Sequence, residues 1–306
     1  MHIILRGQLK PLGRKDVTIN TRETSPFRDF SIGKHRFLFT PGDPRMTTMV
    51  NIEGNEELLE YYQDIPKAIP RNQALESHRD ELYAGAQQVL KYLKYFYGIA
   101  ELDENLHLSG GFEWSLDETV WYPLPEKHET RWLPGGLIYT LDDNLLFWMP
   151  KLAERNIQPF FAFTHLHAAF SETNTRHQWI NATIAAELAF KEFLSQFDNR
   201  ATTLITQVPS PPLQKLYRDV LKDYTGEESP VHSKLSKGAE KRNALIHRTT
   251  EPSPTRQETL IYNHQVEVAI FHLYSKLYKA DPFFEYLLNI AKGRLDYVEK
   301  NAAKLV

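Results

Sequence analysis

Apolar residues recur along this chain with two different periods, and the change from one to the other divides it. Over roughly the first 70 residues the pattern is that of strands and loops. Val17-Thr18-Ile19-Asn20-Thr21 alternates, and Arg36-Phe37-Leu38-Phe39-Thr40 is short and aromatic, ending at Pro41-Gly42. Apolar positions at Leu82, Ala86, Val89, Leu90, Leu93 and Tyr97 then predict a helix across Glu76–Tyr97. Extended structure is expected again at Leu106-His107-Leu108-Ser109, bounded by Gly110-Gly111, and at Thr119-Val120-Trp121-Tyr122 before Pro123.

From about residue 140 the period is helical throughout. Leu141–Arg155 reads as a helix that Pro150 should kink or break. Pro159–Phe170 follows, then Ser171-Glu172-Thr173-Asn174-Thr175, rich in capping residues. The strongest helix, Arg176–Phe197, carries an apolar face too broad for a lone surface helix. A loop with Pro209, Pro211 and Pro212 leads to Leu213–Tyr224, stopped at Gly226. Lys234–Arg248 comes next, with Gly238 a weak point near its start, then a turn with Pro252 and Pro254. Gln257–Tyr278 and Phe283–Val298 complete the set. The fold class expected is α+β: a mixed strand and helix domain over residues 1–150, followed by an all-α bundle over residues 151–306.

Composition narrows the chemistry. The chain has 306 residues and no cysteine, which excludes disulfides, thiolate metal sites and thiol catalysis. It is also compatible with a reducing cytoplasm, the location expected. The opening Met1-His2-Ile3-Ile4-Leu5-Arg6 meets a charge too soon for a secretory signal. The most apolar windows, Leu145–Met149 and Ile157–Phe163, are far shorter than a membrane span, so no membrane partner is expected. Net charge is −3, and with no global basic field any attraction for nucleic acid must come from a local patch. One is present: residues 231–250 hold Lys234, Lys237, Lys241, Arg242 and Arg248 against a single acid, Glu240. The bland reading of such a run is a solvated helix face.

The same helix carries Arg242-Asn243-Ala244-Leu245-Ile246-His247. Arginine and histidine with four to six residues between them say little alone, since chance supplies about two matches in a chain of this composition. Three occur: Arg28…His35 among strands, Arg71…His78 at the start of a helix, and Arg242…His247 on a basic helix. Context favours the last. A long helix that includes Asn181–Leu194 precedes it, and a proline turn and another long helix follow. In this order and in the motif, roughly the last 130 residues resemble the HEPN superfamily. The N-terminal half is assigned to no family.

The resemblance implies a ribonuclease whose site is shared by two chains, hence a homodimer formed through the helical domain, with RNA as its partner. Geometry agrees with a shared site. At about 100° per residue, Arg242 and His247 lie roughly 140° apart around a helix, whereas Asn243 and His247, at i and i+4, share a ridge. His247 suits the role of general base toward an RNA 2′-OH, and Arg242 that of a fork for the phosphate charge, with Asn243 orienting either. Lys234, Lys237, Lys241 and Arg248 are the expected RNA contacts. This chemistry needs neither metal nor cofactor. A role as a defence or toxin effector, with residues 1–150 as sensor or regulator, is implied by the resemblance alone. Two other readings stay open: a HEPN-like module that binds RNA, a nucleotide or a second copy without cutting, and an N-terminal small-molecule site around Arg71, His78 or the aromatic stretch.

Weaker signals surround these. Arg242 pairing with Glu240, and His247 as a cation at a helix C-terminus, are the purely structural alternatives. Glu187 either supports the site from the long helix or pairs with Lys191 at i+4, which is the favoured expectation. His165 and His167 point to nearly opposite sides of a helix, which suits core or boundary positions better than a metal pair. His264 and His272 show no clear carboxylate partner. Phe112, Trp114, Trp121, Tyr122 and Trp132 are read as core aromatics before base-stacking ones. Gly110-Gly111 and Gly135-Gly136 are read as turns.

Overall fold

Alternation along the first strand sets the layers of the N-terminal unit. In the computed structural model, which describes residues 2–13, 16–22, 24–41, 43, 45–54, 73–99, 102–123, 136–201, 211–248 and 250–305, β1 runs over His2–Gly13. Its Ile3, Leu5 and Leu9 are buried while Ile4, Arg6 and Gln8 are not, so one face meets a core and the other does not. β2 (Asp16–Asn20), β3 (Asp29–Ile32), β4 (His35–Phe39), β5 (Met46–Glu53), α1 (Gln73–Tyr95), β6 (Leu102–Ser115), β7 (Tyr122–Pro123), β8 (Gly136–Thr140) and α2 (Asp143–Glu154) follow. Among the described residues, six strands form an antiparallel sheet in the order β3-β4-β5-β1-β6-β7, and β2 pairs in parallel with β8. Helix α1 lies across β6, β5 and β1, with Leu82, Ala86, Val89, Leu90 and Leu93 fully buried. Phe112 and Trp114 join that core, as expected of aromatics in such a layer, but Trp121 is half-buried and Tyr122 exposed because the bend at 116–120 and the two-residue edge strand carry them out of it. Trp132 and Arg71 lie outside the described residues.

Several local expectations need correction. Gly110-Gly111 does not bound a strand but sits inside β6. Opposite it the register with β1 shifts between Gly7 and Leu9, and Gly111 adopts φ +80°. The pair therefore forms a bulge, for which a left-handed glycine is suited, and the ladder resumes on both sides. Gly136 likewise opens β8, and residues 116–120 form a bend before the two-residue β7. Pro150 lies within an uninterrupted α2. The hydrogen bond it deletes is outweighed by the burial of Leu146, Met149 and Leu152, which anchors the helix on both sides of the proline.

By its internal packing the chain separates into Met1–Pro159 and Phe160–Val306. The second unit is helical throughout its described residues, so the chain is α+β. It comprises α3 (Ala162–Ser171), α4 (Thr175–Phe197), a 3₁₀ turn (Asn199–Ala201), α5, α6 (His232–His247), α7 (Arg256–Leu277) and α8 (Pro282–Leu305). Here α5 consists of Leu213–Lys215, a π-helical turn Leu216–Val220 and Leu221–Thr225, and ends at Gly226 with φ +84°. Asn174 caps α4, and Thr255 and Glu258 form a reciprocal capping box on α7. Helix α7 is the axis: α3, α4, α6 and α8 all pack on it. Every residue from Gln265 to Ser275 is buried, which is why its sequence shows no single apolar stripe. Tyr274 stacks between Phe160 (4.1 Å) and Phe284 (5.0 Å) and accepts the Phe160 amide N–H at 2.5 Å. Among the described residues no helix is long and apolar enough to cross a membrane.

Candidate functional site

Helix α6 has two ridges, and they divide the candidate residues between them. Leu235, Gly238 and Leu245 are its buried positions, and Arg242 continues their 3-4-3 spacing. Ser233, Lys234, Lys237, Glu240, Asn243, Ile246 and His247 are exposed and follow the opposite ridge. The arginine of the motif thus faces the bundle and its histidine faces outward, as the roughly 140° separation requires.

The inward ridge is seated on α4 and α7 through a close approach at Gly238. A Cβ there would stand 2.1–2.2 Å from the ring carbons and hydroxyl of Tyr262, so only glycine fits. Trp179 of α4 stacks on Tyr262 at 4.3 Å and donates its indole N–H to the Gly238 carbonyl at 2.9 Å. The Tyr262 hydroxyl shares a 3.0 Å hydrogen bond with Thr183, and Thr183 also donates to the Trp179 carbonyl at 2.9 Å. Burial drives the Tyr262 phenol well above its ordinary value, against the Thr183 hydrogen bond, so it stays neutral. Gly238 is therefore a packing requirement rather than a weak point.

One turn further along, Arg242 lies at the rim of this seat. Its Nη2 is 3.5 Å from Glu187 Oε1 on α4, and its Nη1 donates to Asn243 Oδ1 at 3.0 Å. Its Nε is buried without a hydrogen-bond partner among the described residues. The expectation that Glu187 pairs with Lys191 along its own helix is corrected: the carboxylate turns across to Arg242, and the alternative pairing of Arg242 with Glu240 is not made. An arginine fork offers several donors to an acceptor on a neighbouring helix, whereas the i+4 lysine is a solvated point charge.

The remaining basic residues differ in role. Lys234 and Lys237 are exposed and form no ion pair with a described residue. Lys241 is committed to Glu251 at 2.8 Å and to the Pro252 carbonyl at 3.1 Å, so it fastens the turn after α6. Its hydrogen bond lowers the Glu251 carboxyl below the usual range. Arg248 is the C-cap residue and is exposed. Arg176, which no spacing along the chain singles out, reaches from the first turn of α4 to the carbonyls of Leu245 and Arg248. It supplies the cation that the end of α6 attracts, leaving the His247 imidazole exposed.

Of the competing pairs, Arg71 lies outside the described residues and the others belong to the N-terminal unit. His35 begins β4, where its Nε2 lies 3.0 Å from the Glu81 carbonyl, and burial with the nearby Lys34 charge lowers its pKa. Arg28 belongs to the bend before β3, and His78 to α1. His165 is half-buried and His167 is buried, as core or boundary residues should be. The absence of a carboxylate near His264 is corrected: its Nδ1 is 2.8 Å from Glu267 Oε2, one turn along α7. That i,i+3 pair was within reach of sequence spacing.

Comparison of the chain with protein-family models, curated proteins and solved structures finds no match. What α6 can do rests on its own geometry: an outward ridge with two exposed lysines, an asparagine and a histidine, beside an arginine held from behind by a carboxylate.

Proposed function

We propose that the protein is a metal-independent endoribonuclease of the HEPN type, active as a homodimer through its helical unit. The observation that carries this reading is the split of α6, which fixes Arg242 from behind through Glu187 while presenting Asn243 and His247 to solvent with Lys234 and Lys237. One chain then offers half a site. Two copies of α6 meeting about a two-fold axis would line a cleft with two arginines and two histidines. The exposed Ile246, beside His247, gives that meeting an apolar contact.

In such a cleft one His247 removes the 2′-OH proton and the oxygen attacks the adjacent phosphorus. Arg242 stabilises the charge on the pentavalent phosphorane through its fork. The 5′-oxygen leaves with a proton from the second imidazole, giving a 2′,3′-cyclic phosphate and a 5′-hydroxyl. DNA, lacking the 2′-OH, is spared. Lys234, Lys237 and Arg248 attract the backbone. The N-terminal unit serves as sensor or regulator of a cytoplasmic defence or toxin effector.

The test is cleavage of single-stranded RNA in EDTA by the full chain and by His247→Ala. The wild type should cut and the variant should not; equal activity in both removes the site. A second reading, binding without cleavage, is favoured by the Arg242–Glu187 pair, which already neutralises the arginine. It predicts intact RNA after binding and unchanged affinity in His247→Ala.

A further inference from the structure

A second constellation of charged side chains lies on α7 and α8 and shares no residue with the α6 ridge. Glu267, 5% exposed, sits in the middle of the axial helix. Burying a carboxylate is unfavourable unless its charge is fully matched, and an apolar side chain would join two helices at less cost. Both oxygens are matched here. His264 Nδ1 meets Oε2 at 2.8 Å, and Arg294 Nη1 of α8 meets Oε1 at 2.6 Å. Burial pushes the Glu267 carboxyl up, but the bond to His264 and the charges of Arg294, His264 and His167 outweigh it, and it remains ionised.

The consequence is an imidazole and a guanidinium oriented by the same carboxylate. With Nδ1 turned to the carboxylate, the His264 ring leaves Nε2 as its outward atom. This atom has no hydrogen-bond partner among the described residues and is not sealed from solvent. Arg294 uses one nitrogen on Glu267 and keeps the rest of its fork at a side chain 39% exposed. The ring of Phe170, on α3, stands 5.0 Å from the imidazole and walls one side. A second shell that fixes an imidazole in this way is the arrangement used where a ring nitrogen must meet a ligand in one orientation.

We propose that His264 and Arg294, set on the two oxygens of the buried Glu267 carboxylate, form a site that binds a phosphate monoester. A phosphate monoester presents acceptor oxygens and, as its monoanion, a P–OH, so it can accept from the remaining arginine fork and share a hydrogen bond with the imidazole Nε2. Phe170 would lie against whatever the phosphate carries. The site does not depend on α6 being catalytic.

The experiment is an NMR titration of the His264 ring in the full chain, with inorganic phosphate and with adenosine monophosphate as separate arms. The wild type should show a saturable shift of the ring signals with at least one probe, and Arg294→Ala should bind that probe roughly tenfold more weakly or worse. Tighter binding of the nucleotide assigns the Phe170 ring to the base or sugar, and equal binding assigns the phosphate alone; both outcomes support the site. No saturable shift in the wild type, or an undiminished one in Arg294→Ala with its helical signal intact, overturns it. The wild-type arm decides the matter even if the variant unfolds.

Discussion

Gly238→Ala sets two physical effects against each other with opposite signs. In an ordinary helix interior, alanine for glycine is stabilising by about 1 kcal/mol, because the unfolded chain loses freedom and helix propensity rises. At Gly238 the added Cβ meets Tyr262 at 2.1 Å, while ordinary contact begins at 3.4 Å, so helix or ring must retreat by about 1.3 Å (3.4 − 2.1). The ring is pinned by Trp179 and by Thr183, so the displacement falls on α6. Overpacking of this kind costs about 1–3 kcal/mol. The Trp179–Gly238 hydrogen bond, worth about 1 kcal/mol, is lost with it. Against the propensity gain, the balance is a destabilisation of about 1–3 kcal/mol. Urea unfolding followed by the helical circular-dichroism signal measures it. A variant stabilised by the amount that propensity alone supplies would falsify the close approach of α6 to Tyr262.

Four further outcomes are expected. Glu187→Gln should cost less than about 1 kcal/mol in stability, since the Arg242 pair is partly solvated; a loss of several kcal/mol in the same unfolding assay contradicts that placement. Replacing Lys234 and Lys237 together by alanine should weaken RNA binding and lower the slope of log K against log salt by up to about 1.4, and an unchanged slope removes them from the interface. Lys241→Ala should leave that slope alone, because its charge is spent on Glu251. His272, pushed down to about 4 by burial and by the Lys276 charge, should make the helical unit acid-sensitive. Its folded pKa lies below the unfolded value of 6.5, so its contribution is complete above 6.5 and is lost as pH falls toward 4. The integrated effect is about 3 kcal/mol, and His272→Leu should flatten stability across that window.

The sequence revealed what depends on neighbours along the chain. Arg242, Asn243 and His247 were placed on one helix, and their angular separation was deducible from helical geometry alone. Most helix ends lie within three residues of expectation, but the last helix runs to Leu305, seven residues past the expected Val298, since periodicity marks a helix more sharply than its boundary. What escaped was contact between distant segments: Arg176 with Leu245, Trp179 with Gly238, and Glu187 with Arg242 join α4 to a helix more than fifty residues away. No spacing rule encodes such pairs. β1 was missed for a different reason. Its Ile3, Leu5 and Leu9 alternate, but the apolar Ile4 between them and Lys10-Pro11 beyond blur the period-two pattern over its twelve residues. Gly110-Gly111 and Pro150 show the opposite error, in which local breakers were given more weight than the tertiary packing that overrides them.

The Arg176 clasp has an entropic consequence for the end of α6. The last turn of a helix ordinarily frays, so a residue there samples many backbone states, and each must be given up when a ligand arrives. With the carbonyls of Leu245 and Arg248 tied to α4, the backbone under His247 is held before any partner binds. The freedom that remains is that of the imidazole about its own side-chain bonds. Most of the ordering needed for His247 to act is thus completed when the chain folds, and little of it is left to be taken from the energy of the encounter.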